Sequence, residues 1–238
     1  MIKIARHALS AVAVLACAMG ASAPAHAQFV ATICNDIQCT GGDDVIIQDN
    51  AVGDTVPSTG AMSFSTAAFG YSFLVNTSQS KPMLGSAAAP QLDLNFTATS
   101  SGTAGNVFLY TSDTGFTLGS GSALLTLGGT NSGGSGTVTG RAWGGTSNTA
   151  LQFSGANLIS SLVGLTGPTF AGSVTSTLAS VVNPYSLTIG MQITRASAGT
   201  STGNLNLQVS VIPEPSTWAT ILMGAALVGF VARRRRRR

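Results

Sequence analysis

The sequence predicts an all-β protein: an antiparallel β-sandwich or jelly-roll-like body, flanked by an N-terminal signal peptide and a single C-terminal transmembrane helix. Three observations carry this expectation. From Ala61 to Ile212, short runs rich in Val, Leu, Ile, Phe and Thr recur at fairly even spacing, each closed by a Gly, Ser or Asn cluster. Within the clearest runs apolar and polar residues alternate, which is the period of a half-buried strand. Long stretches of helical periodicity are absent from the body, and no fixed internal repeat points to a propeller or solenoid.

The N-terminus opens with "MIKIARH", carrying Lys3 and Arg6, runs through the apolar "ALSAVAVLACAMGA", and reaches "SAPAHA", where Ala25 and Ala27 flank His26. A charged start, a short apolar run and small residues at an A-x-A site define residues 1–27 as a signal peptide cleaved after Ala27, a substrate of the Sec export machinery. The apolar run is too short to cross a hydrocarbon layer of ~30 Å, and Pro24 follows it at once. "VLAC", Val14 to Cys17, resembles a bacterial lipobox and leaves open a lipidated Cys17.

Residues 28–60 read as a disulfide and acidic loop region. Once Cys17 is removed, Cys34 and Cys39 remain in "ICNDIQCTGGDD". In an oxidising compartment such a pair closes a small disulfide loop, stabilising by about 2 kcal/mol. Two Cys and no mature His do not complete the usual zinc set. The acidic stretch "GGDDVIIQDNAVGD" offers Asp43, Asp44, Asp49 and Asp54, with Asn50, as candidate calcium ligands. Its spacing is not that of an EF-hand, and the alternative is that these side chains cap turns. No other cofactor is expected.

Residues 61–212 form the sandwich body. In "QLDLNFTA", Leu92, Leu94 and Phe96 alternate with Asp93, Asn95 and Thr97; in "NLNLQVSVI", Leu205, Leu207, Val209 and Val211 alternate with Asn206, Gln208 and Ser210. "SLTIGMQITR" and "NLNLQVSV" around "ASAGTSTG" read as a hairpin, and "ANLISSLVGL" as a helical turn or a strand. The apolar content of these runs separates the body from disordered Gly/Ser/Thr-rich chains.

Charge divides the chain in three. Lys3, Arg6 and Arg233 to Arg238 supply eight of the eleven basic residues, so 28–212 keeps only Lys81, Arg141 and Arg195 against seven Asp, a balance of 3 − 7 = −4. A body without a basic patch excludes nucleic acid as a partner.

The last segment, 213–238, is built differently. Pro213-Glu214-Pro215 stops the final strand and holds the junction extended. Residues 217–232, "TWATILMGAALVGFVA", are uncharged, and as a helix they cover about 24 Å, a short span completed by Trp218 at one interface and arginines at the other. Arg233, Arg234, Arg235, Arg236, Arg237 and Arg238 act as a stop-transfer cluster and stay cytoplasmic. This arrangement resembles the PEP-CTERM sorting signal of Gram-negative bacteria that make exopolysaccharide. The resemblance implies recognition of Pro213, Glu214 and Pro215 by an exosortase-type membrane protease, transient residence in the inner membrane, and delivery to the outer surface or extracellular matrix. The opening "ICNDIQCTGGDDVIIQDN" and "PYSLTI" are also similar to a group of such secreted proteins, without implying an activity.

Catalytic chemistry is poorly provided for. Both histidines, His7 and His26, lie in the signal peptide, so a Ser or Cys nucleophile lacks its usual base. Asp93 and Asp113 are the carboxyls a hydrolase would draw on, although Asp93 falls at an outward position. The expectation is a protein that is not an enzyme. Tyr71, Tyr110, Trp143 and Tyr185 are candidates for a sugar-stacking face, and Arg141 with Trp143 in "RAWGGTSN" share one face of a strand. The competing reading packs Trp143 in the sandwich core. The sequence thus favours an exported surface or exopolysaccharide-matrix protein, with a carbohydrate- or calcium-binding adhesion module as the alternative and an extracellular hydrolase behind both.

Overall fold

Alternating burial along the strands builds the architecture. A computed structural model of the protein describes residues 28–102, 105–178, 181–211 and 223–224. Twelve strands follow in chain order: β1 (Val30–Cys34), β2 (Val45–Gln48), β3 (Ala61–Ala68), β4 (Tyr71–Gln79), β5 (Gln91–Ser100), β6 (Gly105–Phe116), β7 (Gly121–Ser132), β8 (Gly136–Gly145), β9 (Leu158–Thr166), β10 (Thr169–Leu178), β11 (Tyr185–Arg195) and β12 (Gly199–Ser210). One 3-10 turn, Gly155–Asn157, precedes β9, so "ANLISSLVGL" is both things the sequence offered, a turn running into a strand.

The strands make two six-stranded sheets, ordered β2-β1-β6-β11-β8-β9 and β10-β7-β12-β5-β4-β3. Every pairing in them is antiparallel. From β5 onward the pairs are nested: β5 with β12, β6 with β11, β7 with β10 and β8 with β9. Alternate pairs enter opposite sheets, which is the winding of a jelly roll. The segment 28–60, expected as a loop region, also contributes β1 and β2 to the first sheet, and β3 and β4 extend the second beyond β5.

The expected β11–β12 hairpin does not form. β11 lies between β6 and β8 in one sheet and β12 between β5 and β7 in the other, so residues 196–198 cross between layers. Alternation specifies which face of a strand is buried and leaves its neighbour unspecified.

Between the sheets, Leu92, Leu94, Phe96 and Ala98 of β5 and Leu205, Leu207 and Val209 of β12 belong to one core cluster with Val107 and Leu109 of β6 and Leu187, Ile189, Met191 and Ile193 of β11. A second, smaller cluster holds Cys34, Phe108, Tyr110 and Trp143, packed against Ile37, Cys39, Leu151 and Phe153. It lies on the outer face of the first sheet, where connections fold back over the strands.

Candidate functional site

That outer face is where the structure brings Arg141 and Trp143 together. Both are on β8, two residues apart and therefore on one face. Arg141 pairs across β11 at Gly190, which pairs in turn with Tyr110 of β6. Glycine is required there, because a Cβ on Gly190 would lie 1.8 Å from Cδ1 of Tyr110. The Tyr110 ring therefore rests on bare backbone and is free to contact both sides. Its centroid is 5.6 Å from Trp143, edge-on, and 4.4 Å from Phe153, while its hydroxyl donates to the Ile37 carbonyl at 3.0 Å.

Trp143 is consequently 2% exposed. It packs in the outer cluster beneath Phe153, a placement that differs both from an open sugar platform and from the inter-sheet core. Tyr71 and Tyr185 point into the main core, so the four aromatic residues do not line one face. Burial pushes the Tyr110 hydroxyl far above its ordinary range, with the Arg141 charge opposing the rise. Arg141 itself is half-buried, and both terminal nitrogens reach Oε1 of Gln192 at 3.4 Å. Lys81–Asp113 is the one ion pair among the described residues, so Arg141 has no carboxylate partner there.

Cys34 and Cys39 form the expected disulfide, with Cα atoms 5.2 Å apart. Inside this loop the Asp36 carboxylate accepts the Gln38 amide at 2.7 Å, the Thr40 amide at 3.1 Å and the Thr40 hydroxyl at 3.2 Å. Desolvation works against the charged form, but these bonds outweigh it and hold Asp36 below the usual carboxylate value. Sequence reasoning passed over Asp36, although an Asx turn between two cysteines is a recognisable signal.

The four acidic candidates fall into two groups. Asp43 and Asp44 adjoin the disulfide loop, each with Oδ1 3.1 Å from the point a Cβ on Gly41 would occupy. Cys34, Cys39 and Asp44 also cluster closely enough to suggest a metal set, but both sulfurs are consumed in the disulfide, and metal binding requires thiolate. Asp49 and Asp54 lie beyond the other end of β2, and five residues of extended chain place Asp49 about 16 Å from Asp44. There they cap turns: Asp49 accepts the Gly60 amide at 2.8 Å, and Asp54 accepts the amides of Asn50, Val56 and Ser63 at 3.0, 3.0 and 3.1 Å. One ion therefore cannot take all four carboxylates as ligands.

Asp44 gives a pH-dependent test of its own group. Burial first, then the Asp36 and Asp43 charges, raise its pKa. A carboxyl with a raised folded pKa stabilises the fold below its unfolded value of about 3.9 and loses that contribution as pH climbs through the folded one. Asp44→Asn is therefore expected to raise Tm at pH 7, by no more than about 2 °C for a half-buried loop carboxyl in a domain of this size, and to leave it unchanged at pH 3. Thermal unfolding at the two pH values checks this, and equal shifts at both would contradict the assignment.

The two carboxyls considered for hydrolysis do not flank a common cleft. Asp93 is on the outer face of β5 and accepts Nδ2 of Asn204 at 2.6 Å. Asp113 is fully buried on β6 and bound to Lys81 at 2.7 Å.

Pro213, Glu214, Pro215 and the Arg233–Arg238 cluster lie outside the described residues, as does residues 1–27. The expected helix 217–232 is described only at Met223 and Gly224, both helical and exposed. Among the described residues no helix is long and apolar enough to cross a membrane.

Fold and tail together define an all-β, antiparallel two-sheet sandwich whose last strand runs into a separate C-terminal signal. Residues 211–237 match the family model of the PEP-CTERM protein-sorting motif, and the chain carries that motif. No curated protein matches the chain. Among solved structures it is similar to a carbohydrate-binding module studied for specific mannan recognition, at 12% identity over 62% of this chain and 86% of that one, TM-score 0.34. It is also similar to the xylan-binding CBM22-1 domain of Xyn10C from Paenibacillus barcinonensis, at 8% identity over 66% and 85%, TM-score 0.32. The K1 cleaved adhesin domain of Lys-gingipain from Porphyromonas gingivalis gives 8% identity over 63% and 94%, TM-score 0.31. These are likenesses of fold alone.

Proposed function

We propose that this chain is a non-enzymatic protein exported through a cleaved signal peptide, held transiently in the inner membrane by its C-terminal segment, and processed by an exosortase-type protease. Its destination is the outer surface or the exopolysaccharide matrix of a Gram-negative cell. The observation that carries the reading is the sorting motif at 211–237, which begins where the β12 ladder ends at Ser210 and so leaves the whole sandwich on one side of the signal. The separated Asp93 and Asp113, one hydrogen-bonded by Asn204 and the other ion-paired, favour a non-catalytic body. Arg141 and Gln192, polar and half-buried on the outer face, suit contact with matrix polysaccharide.

The test is the intact mass and location of the protein in its native host, with and without the sorting protease. A surface or matrix form beginning at Gln28 and lacking the Arg233–Arg238 end is expected in the normal strain, with the full tail retained in membranes of the mutant. Retention of Arg238 in both strains would reduce the tail to an anchor. Release of the processed form when matrix polysaccharide is digested supports the matrix location; retention on stripped cells would refute it.

A further inference from the structure

We propose that the end of the sandwich from which the chain enters its sorting motif is a membrane-docking surface, and that its partner is a phospholipid bilayer. The strand registers identify that end. β12 finishes with Gln208 opposite Gln91 and Ser210 opposite Ser122, the starts of β5 and β7. The same end carries the 80–90 connection, since Gln79 pairs with Asp93, and the 179–184 connection, since Leu178 pairs with Gly121 and Tyr185 with Phe116. Backbone bonds from Thr117 to Ala87, Val181 to Gly119 and Val209 to Pro90 tie these segments together. The turn after β2 joins them, because Gln48 pairs with Val30 and Val30 with Ser112 near the end of β6.

Ile46, Leu74, Leu124, Leu158 and Val163 are exposed on strands, but in the described connections and the departing chain the exposed large apolar side chains fall at this end. Val52 is 99% exposed, Met83 53%, Val182 76% and Val211 63%. They come from three separate connections and the departing chain. At the opposite end, the described residues of the connections at 35–44, 69–70, 101–104, 133–135, 167–168 and 196–198 include no exposed large hydrophobic. Single exposed apolar residues are ordinary on a protein surface; their concentration around one exit point is what calls for a partner.

The position of the tail selects a bilayer as that partner. The strand ladder ends at Ser210 and the uncharged run begins at Thr217, so the connecting chain reaches at most about 20–25 Å. A surface tethered this closely meets the bilayer at high effective concentration, and a few shallow apolar contacts then suffice. The carboxylates at this end, Asp49 and Asp54, are engaged with backbone amides, and Asp113 with Lys81. The proposal rests on the reading of 217–232 as a membrane segment and adds a role for the body.

The experiment uses the mature chain, Gln28 to Arg238, in phosphatidylcholine vesicles, with Cys34 and Cys39 held in their disulfide and one introduced thiol carrying an environment-sensitive fluorophore: Val52→Cys, Met83→Cys, Val182→Cys, or Ser135→Cys at the opposite end. Flotation with the vesicles reports the tail. The expected result is flotation, loss of fluorescence at 52, 83 and 182 when the lipid chains are brominated, and no loss at 135. Flotation with no quenching, or with equal quenching at 135, overturns the docking surface while leaving the tail reading intact. Unquenched labels, together with disulfides formed between chains when the same thiols are left unlabelled and oxidised with copper phenanthroline, overturn it in favour of a second copy. Failure to float overturns the tail reading and the docking surface together.

Discussion

Replacing Asp113 with alanine is expected to lower the unfolding free energy by about 3–5 kcal/mol, the cost of stranding one member of a buried ion pair. Asp113 has no solvent exposure, and the Lys81 side chain is only 13% exposed. One carboxylate oxygen accepts Nζ of Lys81 at 2.7 Å and Oγ of Ser80 at 2.6 Å; the other accepts the Thr114 amide at 2.7 Å. Nζ also donates to the Thr114 carbonyl and stands 4.1 Å from the Phe116 ring centre. Alanine leaves the Ser80 hydroxyl and the Thr114 amide with no acceptor and strips the buried cation of its counter-charge, leaving it the Thr114 carbonyl and the Phe116 ring. The double variant Lys81→Met, Asp113→Leu removes both charges and is expected to lose less than Asp113→Ala alone. Urea unfolding at pH 7 measures all three proteins. A loss below about 1 kcal/mol for Asp113→Ala, the range of exposed pairs, would show that the pair contributes no more than a surface one.

The sequence made Asp93 legible and Asp113 obscure for one reason. β5 is covered on one face only, and its burial alternates residue by residue, so the outward position of Asp93 could be counted. β6 is buried over eight consecutive residues, Val107 to Thr114, because β1 and β11 flank it and its outer face lies under Ile37 and Phe153. Covering the second face erases the period-2 signal, and with it any indication of where Asp113 points. The same covering explains Trp143. That it shares a face with Arg141 follows from spacing along β8, but Leu151 and Phe153 arrive from a connection whose path no local pattern encodes. The acidic stretch was legible as turn chemistry, whereas its division into two groups depends on β2 standing between Asp44 and Asp49. The tail needed no structure to be read, since its signal is the order of its parts along the chain.

Arginine 195 is the second site of large expected effect. It ends β11, is fully buried, and is compensated by backbone dipoles rather than by a carboxylate. Its guanidinium donates to the carbonyls of Ser132 at 2.9 Å, Gly134 at 3.3 Å and Ser197 at 3.4 Å, and to Oγ of Ser201 at 3.0 Å. Ser201 passes the network to Oδ1 of Asn131 at 2.7 Å, and Asn131 Nδ2 reaches the Gly136 and Gly167 carbonyls at 3.2 and 3.0 Å. Arg195 thus fastens the β7–β8 turn and the crossover between sheets directly, and the β9–β10 turn through Ser201 and Asn131, at the end opposite the sorting motif. Gly199, at φ 151°, admits it: a Cβ there would lie 2.0 Å from a guanidinium nitrogen. Arg195→Ala is expected to cost about 3–5 kcal/mol through lost charge-assisted bonds and the void left behind. Arg195→Lys should recover little, because an ammonium cannot span carbonyls set around a planar fork. Urea unfolding gives the size of the loss, and amide exchange gives its location, with faster exchange at 132–136 and 196–201 and none at the tail end. Full stability in Arg195→Lys would mean that the buried charge suffices and the fork geometry does not matter. Uniform acceleration across the sandwich would mean that Arg195 supports the whole core rather than fastening one end of it.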